Sequence, residues 1–580
     1  MDQKLYHQSL KRAQTWLTFD HLDQVDKKFI QKLIDEDNQK EIIERFHDDL
    51  AFGTGGIRSF YGLGSAWINK YTVCRITNAL ALTLKNEFPN QEIKICLSFD
   101  SRLSSPELKE FAIKMLLSHE IEVFEFNQPT PVPLLCYSIG FKQAHAGVMI
   151  TASHNPKDYN GYKIYWNDLC QVTPPIDQKI VDTYKNEFTI APLINRFSKR
   201  SLIDEKCFQA YSDDLFSNAR DLNQAQKKGD QLSIIYTALH GTGHHFVKPL
   251  AQKMGFKNFY SIPSQAEPDG HFPTIEHPNP EYPDSLKLAT NELIQKKAEL
   301  VVASDTDTDR LGVAYLHNDN LCFLNGNDIA ILMLEFTIRK LKEFNKLPSD
   351  ALVIKTIVTS ELQRLICEKN NVAIYDTLTG FKWMGALRAQ FDKENKPYSF
   401  IFSSEESYGY LPNPFIRDKD GISAVLTMIE CALDWKIKGK DLNEALIEIY
   451  KEYGFLKEKL YNFFFHGQSG KQKIQTIMDH FRKIESFNSN QIIKIDDYLN
   501  SITTDKQRNT TEEIKNIPSS NVLRLHFIDG DCLCLRPSGT EPKIKLYLQV
   551  KSTDHKPLED IQEKMASYTS SINHFMENLK

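Results

Sequence analysis

The sequence predicts an α/β protein that ends in an α+β portion, and three observations predict it. Short apolar runs alternate with helix-period segments along most of the chain. The last part changes to strands joined by an Asp-Gly turn, the signature of an antiparallel hairpin. At 580 residues the chain is too long for one core, so roughly three to five domains are expected.

Residues 1–45 read as an N-terminal helical extension, with apolar positions at Leu5, Leu10, Ala13, Trp16 and Leu17. Ile93–Leu97 reads as a strand and Pro106–Leu117 as a helix. Gly147–Ile150 is a short buried strand that runs into the loop holding Ser153. Leu232–Tyr236, Leu300–Ala303, Leu352–Val358 and Tyr398–Phe402 are expected to be further buried strands, each followed by a loop and a helix. Near the end, Leu523–Ile528 and Asp531–Leu535 flank Asp529-Gly530. Ile544–Val550 is the next strand. A final helix shows one apolar face at Leu558, Ile561, Met565, Tyr568, Ile572, Phe575 and Leu579. Polar or proline-containing stretches near 190–200, 318–328 and 455–520 suggest boundaries. The expected partition is 1–45, 46–195, 196–322, 323–455 and 456–580.

Composition narrows the function classes. Apolar content of 41% and charged content of 25% are ordinary for a folded chain, so packed cores are expected. The net charge of −6, with both signs mixed, gives a nucleic-acid role no electrostatic support. Met1–His7 lacks the apolar centre of a signal peptide, and no apolar run approaches the ~20 residues that span a bilayer. The ten cysteines are scattered, and even the close pair Cys532 and Cys534 reads as small buried residues. A cytoplasmic location and no membrane partner are therefore expected.

Four loops carry the chemistry. Thr151-Ala152-Ser153-His154-Asn155-Pro156 follows a buried strand, where ligands gather in open α/β sheets. Alone, Ser153 is more often a helix cap than a nucleophile. Ser153 and His154 are adjacent, and neighbours on an extended segment point apart; a Gly-x-Ser-x-Gly elbow is also lacking. Asp305, Asp307 and Asp309 alternate, so one loop can turn three carboxylates toward a hard cation such as Mg²⁺. An EF-hand is excluded, because Arg310 stands where Gly is needed and Leu316 where Glu is needed. Glu405 and Ser407 could bridge adjacent sugar hydroxyls. Arg536-Pro537-Ser538-Gly539-Thr540 offers a guanidinium fork, two hydroxyls and backbone N–H groups at a glycine, which suits a phosphate dianion. Phe52–Arg58 is glycine-rich but is neither a Walker A nor a dinucleotide loop; it could set Arg58 beside a phosphate. His240-Gly241-Thr242-Gly243 reads as a turn without chemistry.

In this order, these loops resemble those of the α-D-phosphohexomutase superfamily, most of all the phosphoglucomutase branch that includes phosphopentomutases and glucose-1,6-bisphosphate synthases. Arg58, the segment Ser98–Arg102, the lysine of Asn160-Gly161-Tyr162-Lys163 and Thr379-Gly380-Phe381-Lys382 match further elements of that family. The resemblance implies four domains around a central cleft, three α/β with mixed sheets and one α+β. It implies a transferable phosphate on Ser153, Mg²⁺ between Ser153 and the three aspartates, proton handling by Lys163 with His154, and Arg58 as a further catalytic residue. Arg310 is an implied substrate-binding residue, Thr379, Gly380, Lys382, Glu405 and Ser407 are the implied sugar-binding residues, and Arg536, Ser538, Gly539 and Thr540 the implied phosphate cradle. The implied reaction interconverts glucose 1-phosphate and glucose 6-phosphate through glucose 1,6-bisphosphate, which also serves as activator. Phosphopentomutase, phosphomannomutase and glucose-1,6-bisphosphate synthase are the alternatives on the same scaffold. The partners expected are small phosphorylated sugars. Cleft motifs leave the oligomeric state open, with a monomer preferred. One departure stands out: Thr306 occupies a position that is usually Gly or Pro in the family.

Overall fold

The alternating pattern resolves into four sheets in a computed structural model that describes residues 3–50, 56–191, 199–465, 467–538, 542–552 and 557–578. The chain divides into two compact units, residues 1–323 with 409–433, and residues 324–408 with 434–580.

In the first unit, the N-terminal extension is three helices, α1 (Gln3–Leu17), α2 (Gln24–Asp35) and α3 (Gln39–Phe46). Trp16 holds them to the following domain. Its ring packs edge-on against Phe46 at 5.8 Å and Tyr71 at 5.9 Å.

The first sheet is built from β1 (Ile57–Phe60), β2 (Lys94–Phe99), β3 (Glu122–Glu125), β4 (Ala146–Ile150), β5 (Tyr159–Trp166) and β6 (Arg200–Leu202). Their spatial order is β1-β5-β4-β2-β3-β6. Helices α4 (Lys70–Glu87), α5 (Ser105–Ser118), α6 (Val132–Phe141) and α7 (Ile176–Asn186) accompany it. Asn69 starts α4 with a reciprocal cap: its side chain accepts from the N–H groups of Tyr71 and Thr72, and Thr72 Oγ1 accepts from Asn69 N. A core of Val73, Ile76, Leu80, Ile95, Leu97, Leu108, Ile113, Val148 and Ile150 fills the space between.

After α8 (Glu205–Ser217) and α9 (Leu222–Lys228), the second sheet contains β7 (Ile234–Thr237), β8 (Phe259–Ser261), β9 (Leu300–Ala303), β10 (Gly312–His317) and β11 (Asn320–Leu324), in the order β11-β10-β9-β7-β8. Helices α10 (His244–Met254) and α11 (Lys287–Lys296) lie between these strands in sequence.

One expectation is corrected here. Leu300–Ala303 and Tyr398–Phe402 are not followed next by a helix: the element after each is a strand, Gly312–His317 and Tyr410–Leu411, and the strand Gly147–Ile150 likewise leads to another strand. β4 is parallel to β2 and antiparallel to β5, and β9 is parallel to β7 and antiparallel to β10. The serine loop and the aspartate loop therefore both connect antiparallel neighbours. Fully buried strands look alike in sequence whether the next partner is parallel or not, so the apolar pattern could not show the reversal.

The second unit opens with α12 (Gly326–Glu343), capped by the Asn325 side chain. Strand β12 (Ala351–Thr356) then lies parallel to both β13 (Ala373–Thr377) and β14 (Ser399–Ser404), with helices α13 (Leu362–Lys369) and α14 (Lys382–Lys393) between. Helix α15 (Leu442–Tyr453), with an Asp441–Glu444 capping box, leads to β15 (Phe455–Phe464) and α16 (Gly467–Phe481).

The last sheet continues with β16 (Asn490–Asp497), β17 (Ile502–Asp505), β18 (Thr510–Glu513), β19 (Leu523–Phe527), β20 (Cys532–Pro537) and β21 (Lys543–Ser552). It runs β15-β21-β20-β19-β16-β17-β18 and is antiparallel at every step. The Asp529-Gly530 hairpin forms as expected: Leu523 faces Leu535, and Gly530 adopts φ 90°. The closing helix α17 (Pro557–Asn578) buries Ile561, Tyr568, Ile572 and Met576.

All ten cysteines are free, with Cys532 and Cys534 buried. No helix among the described residues is long and apolar enough to cross a membrane.

Candidate active site

Arg102 shapes the loop after β4. It is 1% exposed and spends its whole guanidinium fork locally. Nη2 donates to the carbonyls of Ser153 at 2.8 Å and Asn155 at 2.6 Å. Nη1 donates to those of Pro156 at 2.6 Å and Tyr159 at 2.9 Å, and Nε to Asp100 Oδ2 at 3.1 Å. So held, Ser153 adopts φ 53°, in the left-handed region that a serine rarely visits unless its surroundings impose it. Its N–H donates to Thr151 Oγ1 at 2.8 Å. This backbone also corrects the expectation that Ser153 and His154 point apart. The segment is not extended at Ser153, and His154 Nδ1 lies 3.2 Å from Ser153 Oγ.

The loop between β9 and β10 carries the three aspartates, all buried, with one oxygen from each within 4.8 Å of the others. Ser153 Oγ donates to Asp305 Oδ2 at 2.8 Å. Asp305 Oδ1 accepts from the N–H groups of Asp309 at 3.0 Å and Arg310 at 3.1 Å. Lys163, fully buried on β5, donates to Asp307 Oδ2 at 2.7 Å and Asp309 Oδ2 at 3.0 Å. Thr151 Oγ1 reaches Asp307 Oδ2 at 3.2 Å, and Lys419 Nζ lies 3.3 Å from Asp309 Oδ2. The Oδ1 atoms of Asp307 and Asp309 are left buried without a hydrogen-bond partner. An unpaired buried carboxylate oxygen is costly. Two of them, aimed from a trio of hard oxygen donors, fit a divalent cation.

The charges follow from burial and neighbours. Burial first, then Asp309 and Asp307, pushes Asp305 well above the usual carboxylate range. Burial opposes the charge on Asp309 as well, but Lys163, Lys419 and Arg310 outweigh it and hold that carboxyl far below its ordinary value. Burial would lower Lys163, yet Asp307 and Asp309 raise it above the ordinary lysine value. Burial, then Arg310 and Arg58, drives His154 well below the ordinary histidine value, so its imidazole is neutral. Arg310 Nη2 lies 3.5 Å from His154 Nε2. Arg58 is half-buried on β1, in register with Gly161 of β5, and its Nε has no partner.

Two contributors escaped the sequence reading. The turn His240–Gly243 braces the aspartate loop. Thr242 N donates to Thr306 O at 2.9 Å, Thr242 Oγ1 pairs with Thr308 Oγ1 at 2.9 Å, and Gly241 packs so closely that a Cβ there would stand 2.6 Å from Thr306 Cα. The glycines flanking Thr242 directly after a strand were the available signal. Lys419 was the other, marked only by the charged run Asp418-Lys419-Asp420. Thr306 itself is accommodated, because the left-handed residue of the loop is Thr308, at φ 57°; the Thr306 hydroxyl is buried without a partner.

In the second unit, Glu405 and Gly380 are brought together: Gly380 N donates to Glu405 Oε1 at 2.8 Å, with Gly380 at φ 109°. Thr379 and Ser407 are half-buried. Lys382 is the first residue of α14, with its Nζ 5.1 Å from the Trp383 ring centroid. Arg536 lies near the end of β20, opposite Lys545, and Ser538 N donates to Lys543 O at 2.8 Å. Gly539 and Thr540 lie outside the described residues.

A buried serine hydroxyl held against a carboxylate trio that fits a cation defines a class, that of cation-assisted phosphoryl-transfer centres. Comparison with known proteins narrows it. Four profiles of the phosphoglucomutase/phosphomannomutase family match in sequence: α/β/α domain I over residues 49–190, domain II over 209–318, domain III over 325–453 and the C-terminal domain over 499–567. A phosphoglucomutase of Staphylococcus epidermidis is 35% identical over 92% of this chain and 96% of its own length. One of Staphylococcus aureus is 33% identical over 94% and 97%. Among solved structures, the parafusin phosphoglucomutase of Paramecium in its open form shares the fold with a TM-score of 0.65 at 17% identity, covering 91% of this chain and 96% of that one. A phosphoglucomutase/phosphomannomutase family protein of Burkholderia thailandensis does so with a TM-score of 0.64 at 16% identity, covering 91% and 97%. The chain belongs to the phosphoglucomutase/phosphomannomutase family of the α-D-phosphohexomutase superfamily. It is an enzyme of that metal-dependent mutase family, whose members act on small phosphorylated sugars.

Proposed function

We propose that this enzyme interconverts glucose 1-phosphate and glucose 6-phosphate by way of phosphorylated Ser153 and a glucose 1,6-bisphosphate intermediate, with Mg²⁺ as its cation. The observation that carries the reading is the 2.8 Å contact of the Ser153 hydroxyl with a buried carboxylate trio that keeps two oxygens unpartnered. Mg²⁺ bound by Asp305, Asp307 and Asp309 would draw charge from a phosphate on Ser153 and stabilise the leaving serine oxygen.

The chain's own residues do the positioning, which is most of what phosphoryl transfer needs. Arg102 and Thr151 fix the serine backbone. Arg310 and Arg58 lie near enough to influence His154 and bring positive charge to where phosphate oxygens arrive. Neutral His154, 3.2 Å from Ser153 Oγ, can accept the proton of the attacking sugar hydroxyl. Lys163 shares that task on one condition. Asp307 and Asp309 hold its ammonium charged, and it can take up a proton only where that hold is weakened. Glu405 and Ser407, with Thr379, Gly380 and Lys382, read the sugar hydroxyls. Arg536, Ser538, Gly539 and Thr540 take the phosphate that is not transferred. The bisphosphate then turns and returns its other phosphate to Ser153.

The same reading assigns residues 46–195 to the serine-bearing domain, 196–322 to the metal-binding domain, 323–455 to the sugar-reading domain and 456–580 to the phosphate-binding domain, after the 1–45 extension. The free cysteines support a cytoplasmic location, and a monomer is the proposed state.

Intact-mass measurement on wild type and Ser153→Ala tests the covalent step. One added phosphate on the wild type, and none on a folded variant without turnover, is expected; full activity in the variant overturns it. Coupled assays with glucose, mannose, ribose and deoxyribose 1-phosphates test the sugar. Glucose presents neighbouring equatorial hydroxyls to Glu405 and Ser407, which mannose does not at its 2-position. A kcat/KM for deoxyribose 1-phosphate about tenfold or more above glucose 1-phosphate would make the enzyme a phosphopentomutase.

A further inference from the structure

We propose that His244, His245 and Glu267 form a second cation site, for a borderline transition ion of the zinc class, distinct from the oxygen-only aspartate trio. One ligand atom from each of the three lies within 4.8 Å of the others. His245 Nε2 is 3.0 Å from Glu267 Oε2. The two imidazole centroids are 5.3 Å apart with their planes 70° apart. His244 Nδ1 is buried and has no hydrogen-bond partner.

A plain surface His–Glu pair would account for His245 and Glu267 but would leave that buried nitrogen orphaned. A cation shared by the three residues would take one donor atom from each. Two imidazoles and one carboxylate are a donor set that zinc accepts with a fourth position left to water. His245 and Glu267 are exposed, so such an ion has both access and an open side. Imidazole nitrogen favours zinc, nickel or copper over magnesium, whereas the aspartate trio offers only hard oxygens. The first residues of α10 carry a helix N-terminus, whose partial positive charge opposes a cation; the full negative charge of Glu267 acts against that.

The placement gives the site a consequence. His244 and His245 directly follow the turn that braces the aspartate loop, and Glu267 lies in the segment bonded to the other end of that turn. Asp269 N donates to His240 O at 3.0 Å, and His240 N to Gln265 O at 3.3 Å. An ion held by all three residues ties these segments together and stiffens the support under Asp305–Asp309.

The test uses the full chain, stripped of metal and then given excess Mg²⁺ to saturate the aspartate trio. Zinc chloride is titrated in by calorimetry and the thermal midpoint is followed. About one zinc per chain and a raised midpoint are expected for the wild type. His245→Ala and Glu267→Gln are both surface changes, and each should weaken zinc binding by at least about tenfold (~1.4 kcal/mol) and abolish the midpoint shift. No zinc uptake, uptake that Mg²⁺ competes away, or unchanged affinity in His245→Ala each overturns the proposal.

Discussion

Arg102 Nη2 donates to the carbonyl oxygen of Ser153 at 2.8 Å, and that bond sets where the serine hydroxyl points. The same side chain holds three further carbonyls of the loop, so the left-handed backbone at Ser153 is imposed from outside the loop. Arg102→Lys keeps the charge but replaces a planar fork by a point donor that cannot reach all of these acceptors. Misplacing a reacting group by about 1 Å costs on the order of a hundredfold in rate. We expect kcat to fall by roughly ten- to a hundredfold with KM little changed. Steady-state kinetics on the folded variant checks this, and an unchanged kcat would show that the loop holds its shape unaided.

Asp307 divides its two oxygens between different tasks. Oδ2 takes Lys163 and Thr151, while Oδ1 is buried and unpartnered. Asp307→Asn removes a charge from the trio and leaves Lys163 with Asp309 alone. Turnover should nearly vanish, and the divalent-ion concentration for half-maximal residual activity should rise. Chelation of the wild type should stop turnover, with recovery on adding Mg²⁺. Undiminished activity in excess chelator would sink the metal assignment.

The legibility of this chain differed by physical cause. The aspartate trio was readable because alternate carboxylates on one loop suit a hard cation by type and spacing, whereas Ser153, more often a cap when read alone, was singled out only by the family resemblance. Asp529-Gly530 was readable because a glycine free to take left-handed backbone, φ 90° here, between two apolar runs marks a tight hairpin turn. The brace at Gly241 was not, because a glycine that permits close approach looks like any turn glycine until its neighbour is known. The reversal of β5 and β10 was hidden for a similar reason: buried strands carry no mark of their partner's direction. Lys419 stands about a hundred residues after Asp309 in the sequence, and no local pattern links a lysine to a carboxylate that distant.

Burial first pushes the Glu430 carboxyl up to about 7, even though it accepts the N–H groups of Asp221 at 2.9 Å and Arg220 at 3.3 Å. The folded pKa is raised above the unfolded value near 4.5, so the folded state binds this proton more tightly. Stability from this group is therefore largest at low pH, and it is lost as pH rises from the unfolded value through about 7. Glu430→Gln keeps an acceptor oxygen and removes the ionisation. The thermal midpoint of the variant should gain on the wild type as pH rises from 5 to 8, the range of roughly three units that brackets the shifted value. Parallel midpoint curves for the two proteins would show that Glu430 does not titrate in this range.

Gly241 makes the tightest statement about the aspartate loop. A Cβ at this position would lie 2.6 Å from both Thr306 Cα and Thr306 O, and 2.8 Å from Asp305 O. All three are backbone atoms, so no flexible side chain can swing away and the loop itself has to shift. The hydroxyl of Ser153 meets Asp305 Oδ2 at 2.8 Å, a contact with little tolerance for such a move. Overpacking of this kind typically costs about 1–3 kcal/mol of stability, which a chain with several buried cores can absorb, so Gly241→Ala should fold. Its kcat should fall by about tenfold or more, and its requirement for the divalent ion should rise. Thr242→Ser is the companion variant, since it retains the hydroxyl that meets Thr308 Oγ1 at 2.9 Å and should stay close to wild type. Activity measured against divalent-ion concentration for both variants, with circular dichroism as the check on folding, decides the matter: wild-type kinetics in Gly241→Ala would mean that the turn merely lies beside the aspartates without holding them.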